Sequence, residues 1–402
     1  MKKVVWISPY IPYDTVRHAG GQIENYYIKK LIGAGEVELR LVSSYLPGER
    51  EQFTLHKQIR CDLVCNYDRG IRHRIRQALD VIPLFNPFDR YGNHKPLYNE
   101  LMMIRILRAY RKEGFEPDIL IIEWLQSLLS VKHFKKIFPK AKIVGIEEDV
   151  VIQSYTRKWE NAHGINKAFA RIRLHNIKRE ELRALKACDL IITNNAKDKA
   201  LLQKYGFTKN VWQWTPYYHK YTEIRNTYRD TILFFGDMRR VENYGAAEWV
   251  IREVMPLIKD TGITFQVLGG NPPEELQKLQ SERVQILGYR EDLTPYFETA
   301  LCLIVPLTLG AGIKIKVLEG MSAGLPVLTN GIGIEGIPAG RDRDYLHCET
   351  AQDYAAAIRK LAERSLDPQQ IGTNARRLLA ENMDYETSAD EFVRRIADMQ
   401  RI

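Results

Sequence analysis

The sequence predicts an α/β protein built from two doubly wound parallel-sheet domains facing an interdomain cleft. Three observations predict it. Short apolar runs alternate with amphipathic stretches along the whole chain, the pattern of β-α units that pack helices on both faces of a parallel sheet. The alternation stops once, in a polar Tyr/Thr-rich segment at about 215–229 that contains Pro216, and then restarts. Charge divides at the same place. Residues 1–229 hold 40 Lys/Arg against 24 Asp/Glu, a net +16, whereas residues 230–402 hold 19 against 26, a net −7. We therefore place a first domain at 1–215, a second at 216–385, and a terminal helix at 386–402 that packs back on the first. The whole is 402 residues with a net charge of +9, a length that suits two domains.

In the first half, Val4–Ser8, Val37–Ser43, Asp118–Ile122, Lys142–Ile146 and Asp189–Thr193 read as strands. A loop ending in Gly20-Gly21 precedes a helix from about Gln22, and residues 46–99 are less regular. In the second half the strands are Thr231–Phe235, Ile263–Leu268, Val284–Leu287, Leu301–Val305 and Leu325–Thr329, with a helix over Tyr244–Lys259. Most of these strands end at Gly or Pro. Strand ends that open into glycine turns form the ligand crevice of a doubly wound sheet.

Composition excludes several classes. No apolar run reaches the roughly 18 residues that mark a membrane-spanning helix. The opening MKKVVWISPYIP meets Pro9 and Pro12 with no small-residue cleavage site, so it reads as a strand rather than a secretory signal. Five scattered cysteines suit a reducing cytoplasm; Cys61 and Cys65 lack a second pair at zinc-ligand spacing. Basic clusters occur at Arg69, Arg72, Arg74 and Arg76, and along Arg171, Arg173, Lys178, Arg179, Arg183 and Lys186. The second lies on a helical pattern with Phe169, Ile172, Leu174 and Ile177 interleaved, which reads as a solvated face or as a contact with the anionic inner face of a membrane. No zinc-finger, RNA-recognition or helix-turn-helix pattern supports a nucleic-acid partner.

The stretch LGAGIKIKVLEGMSAGLPV carries the chemistry. Gly310 and Gly312 precede a helical pattern that starts near Ile313. Such glycines let a phosphate approach backbone N–H groups at a helix N-terminus. Lys314 and Lys316 add positive charge, and Glu319 lies two turns into the helix, placed to accept hydrogen bonds from sugar hydroxyls. The set suits a nucleoside diphosphate with its ribose held by a carboxylate.

With ILFFGDMRRVENYGAAEWV, LGGNPP and ILGYREDLTPYF, this stretch closely resembles the donor domain of the family 4 nucleotide-sugar glycosyltransferases over about Thr231 to Arg364. The first half matches only loosely. The resemblance implies the GT-B fold and transfer with retention at the anomeric carbon. It implies no cofactor beyond a UDP-, GDP- or dTDP-sugar co-substrate, and a glycan or lipid-linked acceptor in cell-surface polysaccharide synthesis. It assigns the ribose to Glu319 and the diphosphate to Lys316 with the amides near Gly312 and Ile313. Gly236 with Arg239, Arg240 or Asn243 becomes the clamp on the leaving group. Gly288 and Tyr289 meet the base, and Gly20 and Gly21 make room for the diphosphate. Two positions depart from the family pattern. Ala311 stands where many members carry a second glutamate, and Glu148, followed by Asp149, stands where many carry His. Glu148 and Asp149 are the acceptor-side catalytic candidates; His18 and His163 are candidates by loop position alone. The Asp342-Arg343-Asp344 triplet imitates a metal-binding acidic pair but falls late in the chain, so we expect no metal. A nucleotide-sugar 2-epimerase of the same fold and a non-catalytic sugar-nucleotide binder are the competing readings.

Overall fold

The computed structural model describes residues 1–16, 18–66, 97–310 and 312–400. The basic cluster Arg69–Arg76 and the Ala311 position lie outside them. The chain divides into two compact units, Met1–Tyr217 with Tyr385–Ile402, and Tyr218–Asp384.

The first unit is built on seven parallel strands: β1 (Lys2–Ser8), β2 (Val37–Tyr45), β3 (Arg60–Cys65), β4 (Ile119–Glu123), β5 (Lys142–Glu147), β6 (Leu190–Thr193) and β7 (Val211–Gln213). Their order is β3-β2-β1-β4-β5-β6-β7. The chain moves outward from β1 to β3 and then returns to lay β4 on the other side of β1. The crevice at a sheet's carboxyl edge opens where the order reverses, here between β1 and β4. Val4–Ile7 of β1 and Ile119–Ile122 of β4 are fully buried, as the centre of a sheet covered on both faces requires. The helix Tyr385–Asp398 returns to this unit, and its Phe392 packs edge-on against Trp6, Tyr27 and Trp214.

The second unit has six parallel strands: β8 (Thr231–Phe235), β9 (Thr264–Leu268), β10 (Val284–Gly288), β11 (Cys302–Val305), β12 (Val327–Thr329) and β13 (Leu346–His347). Their order is β10-β9-β8-β11-β12-β13, so this sheet reverses between β8 and β11. Gly269 closes the β9 turn at φ +153, and a Cβ there would come 1.8 Å from the Gly236 carbonyl oxygen. Only a residue without a side chain lets the β8 and β9 ends approach this closely.

The short edge strands β7 and β13 were not expected, and three further elements differ from the sequence reading. β3 falls inside the segment read as irregular, because Arg60 and Asp62 interrupt its apolar pattern. Its Cys61 and Cys65 are four residues apart along a strand, about 13 Å, too far to share one metal. The helix expected over Tyr244–Lys259 is α-helical only over Val241–Trp249. It widens to a π turn at Val250–Val254 and tightens to 3-10 at Met255–Ile258. Pro256 has no N–H to donate and its ring crowds the preceding turn, so a regular helix cannot pass through it. The first helix begins at Ala19, not Gln22, with His18 as its cap.

Candidate active site

The second sheet's reversal point gathers the residues of the phosphate motif. β8 delivers Gly236 and the Asp237–Arg240 loop, which leads into the helix Val241–Trp249. β11 delivers Pro306 and the glycine loop, which leads into the helix Ile315–Ser322. Gly310 and Gly312 hold positive φ of 120 and 69 degrees, a conformation that favours glycine. Lys316, in the first turn of its helix, reaches back across the crevice: its Nζ donates to Asn243 Oδ1 at 2.7 Å and lies 4.5 Å from the centre of the Phe234 ring. Asn243 Nδ2 in turn donates to the Asp237 carbonyl at 2.9 Å. A Cβ on Gly236 would come 2.7 Å from Lys316 Nζ and 2.9 Å from Asn243 Nδ2. Gly236 therefore keeps open the space over the ammonium.

Electrostatics mark the same spot. Burial, then the like charges of Arg240 and Lys314, pull the Lys316 ammonium down to about 7. Burial pushes the Glu319 carboxyl up to about 7, against a backbone hydrogen bond from His219 and the pull of Lys316. Both are half-buried. An ammonium held at low dielectric beside other cations is relieved by an anion.

The remaining candidates hold other partners. Arg239 is clamped on Asp237, its Nη2 2.6 Å from Oδ2. Arg240 Nε donates to Glu242 Oε1 at 2.6 Å, and Lys314 Nζ donates to the Gly312 carbonyl at 2.5 Å. Ile313 is half-buried between that carbonyl and the helix start. Gly288 ends β10 at φ +68, and the exposed Tyr289 beside it approaches Gly270. Asp344 of the acidic triplet is committed to structure: it accepts the Gly340 N–H at 2.7 Å and pairs with Arg343 at 2.8 Å.

In the first unit, Gly20 and Gly21 lie in the first helical turn, where Gly21 N–H donates to His18 Nδ1 at 3.0 Å. A Cβ on Gly20 would strike the Trp124 indole at 2.3 Å and stand 3.3 Å from the Glu148 carboxyl carbon. Trp124 itself has φ +66, a strained turn directly after β4. Glu148 is buried; its Oε2 accepts from Asn194 Nδ2 at 2.9 Å, and Asn194 is fixed by a hydrogen bond from the Trp214 indole. Asp149 beside it is half-buried. Glu181 caps the helix Val151–Glu160, accepting the Val151 and Ile152 N–H groups at 2.7 and 2.9 Å.

Two carboxyls went unseen in the sequence. Glu123, the last residue of β4, lies beside the Glu148 carboxyl, and the nearby charges of Glu24 and Glu148 add to burial in raising Glu123. Trp6 Nε1 donates to Glu123 Oε2 at 2.8 Å, and Ser8 Oγ to Glu24 Oε2 at 2.9 Å. Burial pushes all three carboxyls up, Glu123 and Glu24 well above the usual range. The signal for Glu123 was its place: an acid ending a wholly apolar strand beside a reversal point.

Solved structures share this architecture from end to end. Sucrose-phosphate synthase from Thermosynechococcus elongatus matches with a TM-score of 0.69 at 14% identity over 98% of each chain. TarM matches with a TM-score of 0.68 at 12% identity over 99% of each. Anabaena HepE, solved with UDP, matches with a TM-score of 0.64 at 12% identity over 99% of this chain and 100% of its own. The fold is GT-B. Residues 229–364 also match the family model described as Glycosyl transferases group 1, a stretch containing Gly236, Asn243, Lys316 and Glu319. No curated protein sequence matches the chain. Among the described residues, no helix is long and apolar enough to cross a membrane.

Proposed function

We propose that this protein is a retaining glycosyltransferase that moves a hexose from a nucleoside diphosphate to a glycan or lipid-linked acceptor in polysaccharide assembly. The observation that carries the reading is the convergence of Gly236, Asn243, Lys316 and Glu319 on the reversal point of the second sheet. The group 1 family match over this segment supports it. So do the GT-B structures of HepE in complex with UDP-glucose and of a TarM mutant in complex with α-GlcNAc-glycerol and UDP.

In this reading the diphosphate lies over Lys316 and the amides that follow Gly312, and the ribose hydroxyls donate to Glu319. Arg240 and Lys314 add charge. As the anomeric carbon–oxygen bond breaks, negative charge grows on the leaving phosphate. A preorganised ammonium stabilises that charge more than the ground state. The acceptor oxygen attacks from the side the phosphate leaves, and its proton passes to the departing phosphate oxygen, which preserves the anomeric configuration. Glu148, buried beside Glu123, is the acceptor-side candidate for holding the attacking hydroxyl. The donor is a UDP-, GDP- or dTDP-sugar and no resident cofactor takes part.

Lys316→Ala should lower turnover by about 100-fold to 1,000-fold, the range for removing one electrostatic donor. Glu319→Ala should act mainly on donor affinity. Wild-type kinetics and donor binding in both folded variants would overturn the placement. A second reading, nucleotide-sugar 2-epimerase, gains support from the buried Glu24, Glu123 and Glu148 cluster. It predicts an epimerised sugar from the donor alone, whereas transfer releases nucleoside diphosphate in step with acceptor glycosylation.

A further inference from the structure

The helix Gly164–Leu185 is anchored by one end only. Ile177, Glu181, Ala184 and Leu185 are buried on its inner side. From His163 to Arg173, every residue but Ala170 is exposed. Apolar residues occupy this free end: Ile165 is 75% exposed, Phe169 59% and Ile172 58%. At 100° per residue these three fall within about 60° of one another, a ridge roughly 10 Å long. The ridge faces away from the buried side of the same helix. Single exposed apolar side chains are ordinary; a contiguous row on a projecting tip is not.

Cations surround the ridge. Arg171 and Arg173 project to either side of it, and neither has an ion-pair partner among the described residues. Arg179 and Arg183 continue its line toward the anchored end, both beside Glu180. The preceding helix Val151–Glu160 packs alongside and adds Arg157 and Lys158, and Lys167 lies over its Trp159 ring. Residues 157–173 thus hold five Lys/Arg against one acid, Glu160. An apolar ridge set in a ring of Lys and Arg matches a bilayer interface, where acyl chains take the ridge and anionic headgroups take the cations.

We infer that the tip of this helical hairpin inserts Ile165, Phe169 and Ile172 into an anionic lipid surface, with Arg171 and Arg173 seated on its headgroups. The inference goes beyond the transferase reading and stands without it, because its readout is vesicle binding rather than turnover. It also goes beyond attraction between charges: insertion adds a part of the affinity that salt does not screen.

Co-sedimentation with phosphatidylcholine vesicles, with and without about 30% phosphatidylglycerol, tests it. The wild-type chain should bind the anionic vesicles and retain measurable binding in high salt. Phe169→Ser with Ile172→Ser should weaken binding at least about tenfold and abolish the salt-resistant part, leaving the melting temperature and UDP-glucose binding unchanged. Arg171→Gln with Arg173→Gln should weaken binding about 25-fold, near fivefold per cation. The inference is overturned if the wild-type chain ignores anionic vesicles at low salt, or if the Phe169/Ile172 variant binds them as well as wild type. It is equally overturned if the ridge pairs two copies of the chain, seen as a dimer in ultracentrifugation that the Phe169/Ile172 variant loses, with no vesicle binding by either.

Discussion

Donor binding should be bell-shaped in pH, because the two residues assigned to it titrate near the same point and need opposite protonation states. The diphosphate needs Lys316 as ammonium; the ribose hydroxyls need Glu319 as carboxylate. In the free protein both sit at about 7. The signs follow directly. Lys316 loses its proton as pH rises through about 7, so its contribution is full below that point and fades above it. Glu319 gains its charge as pH rises through about 7, so its contribution is full above and fades below. If bound donor moves both pKa values well clear of neutrality, affinity falls about threefold one pH unit either side of 7 and about 25-fold two units away. Titration calorimetry with UDP-glucose at pH 5 to 9 measures this, and a sugar diphosphate has no phosphate pKa in that window. Lys316→Arg keeps its charge throughout and should remove the alkaline limb alone. Glu319→Gln should remove the acidic limb alone. A flat profile, or an alkaline limb that survives Lys316→Arg, would refute the reasoning.

Three further outcomes are expected. Gly236→Ala should weaken donor binding about tenfold or more with little change in melting temperature, because the methyl displaces the ends of the Lys316 and Asn243 side chains rather than backbone; a large stability loss with intact binding would contradict this. Glu148→Gln should lower turnover about 100-fold without changing the donor dissociation constant; an unchanged turnover number would remove Glu148 from the acceptor side. Turnover should persist in excess EDTA, since the cradle is built from Lys, Arg and backbone amides. A complete loss restored by Mg²⁺ or Mn²⁺ would show that a metal carries the leaving-group charge instead.

The sheets were legible where strands lie at the sheet centre. β8 and β11 are buried on both faces and so read as unbroken apolar runs ended by Gly or Pro. β7 and β13, at sheet edges, have only three and two residues and give no periodic signal. β3 hides behind Arg60, whose guanidinium satisfies Glu113 from a distant helix end rather than facing water alone. Lys316 was named from local spacing, Gly236 and Asn243 from the family resemblance, and the structure brings the three together. Glu24 and Glu123 were not, because their significance comes from meeting Glu148 across 24 or more residues of intervening chain at neighbouring strand ends. No window of sequence holds that meeting. The exposed ridge was half legible: Phe169 and Ile172 were seen as interleaved with cations, but only the fold shows that both are exposed.

The central claim is that the reversal point of the second sheet holds a nucleotide sugar through Lys316 and Glu319. A crystal structure of the protein with a bound nucleotide sugar tests it most directly. The account predicts a diphosphate oxygen within about 3 Å of Lys316 Nζ and the ribose hydroxyls at the Glu319 carboxylate. A nucleotide bound elsewhere, with Lys316 still on Asn243 and Glu319 untouched, would contradict it.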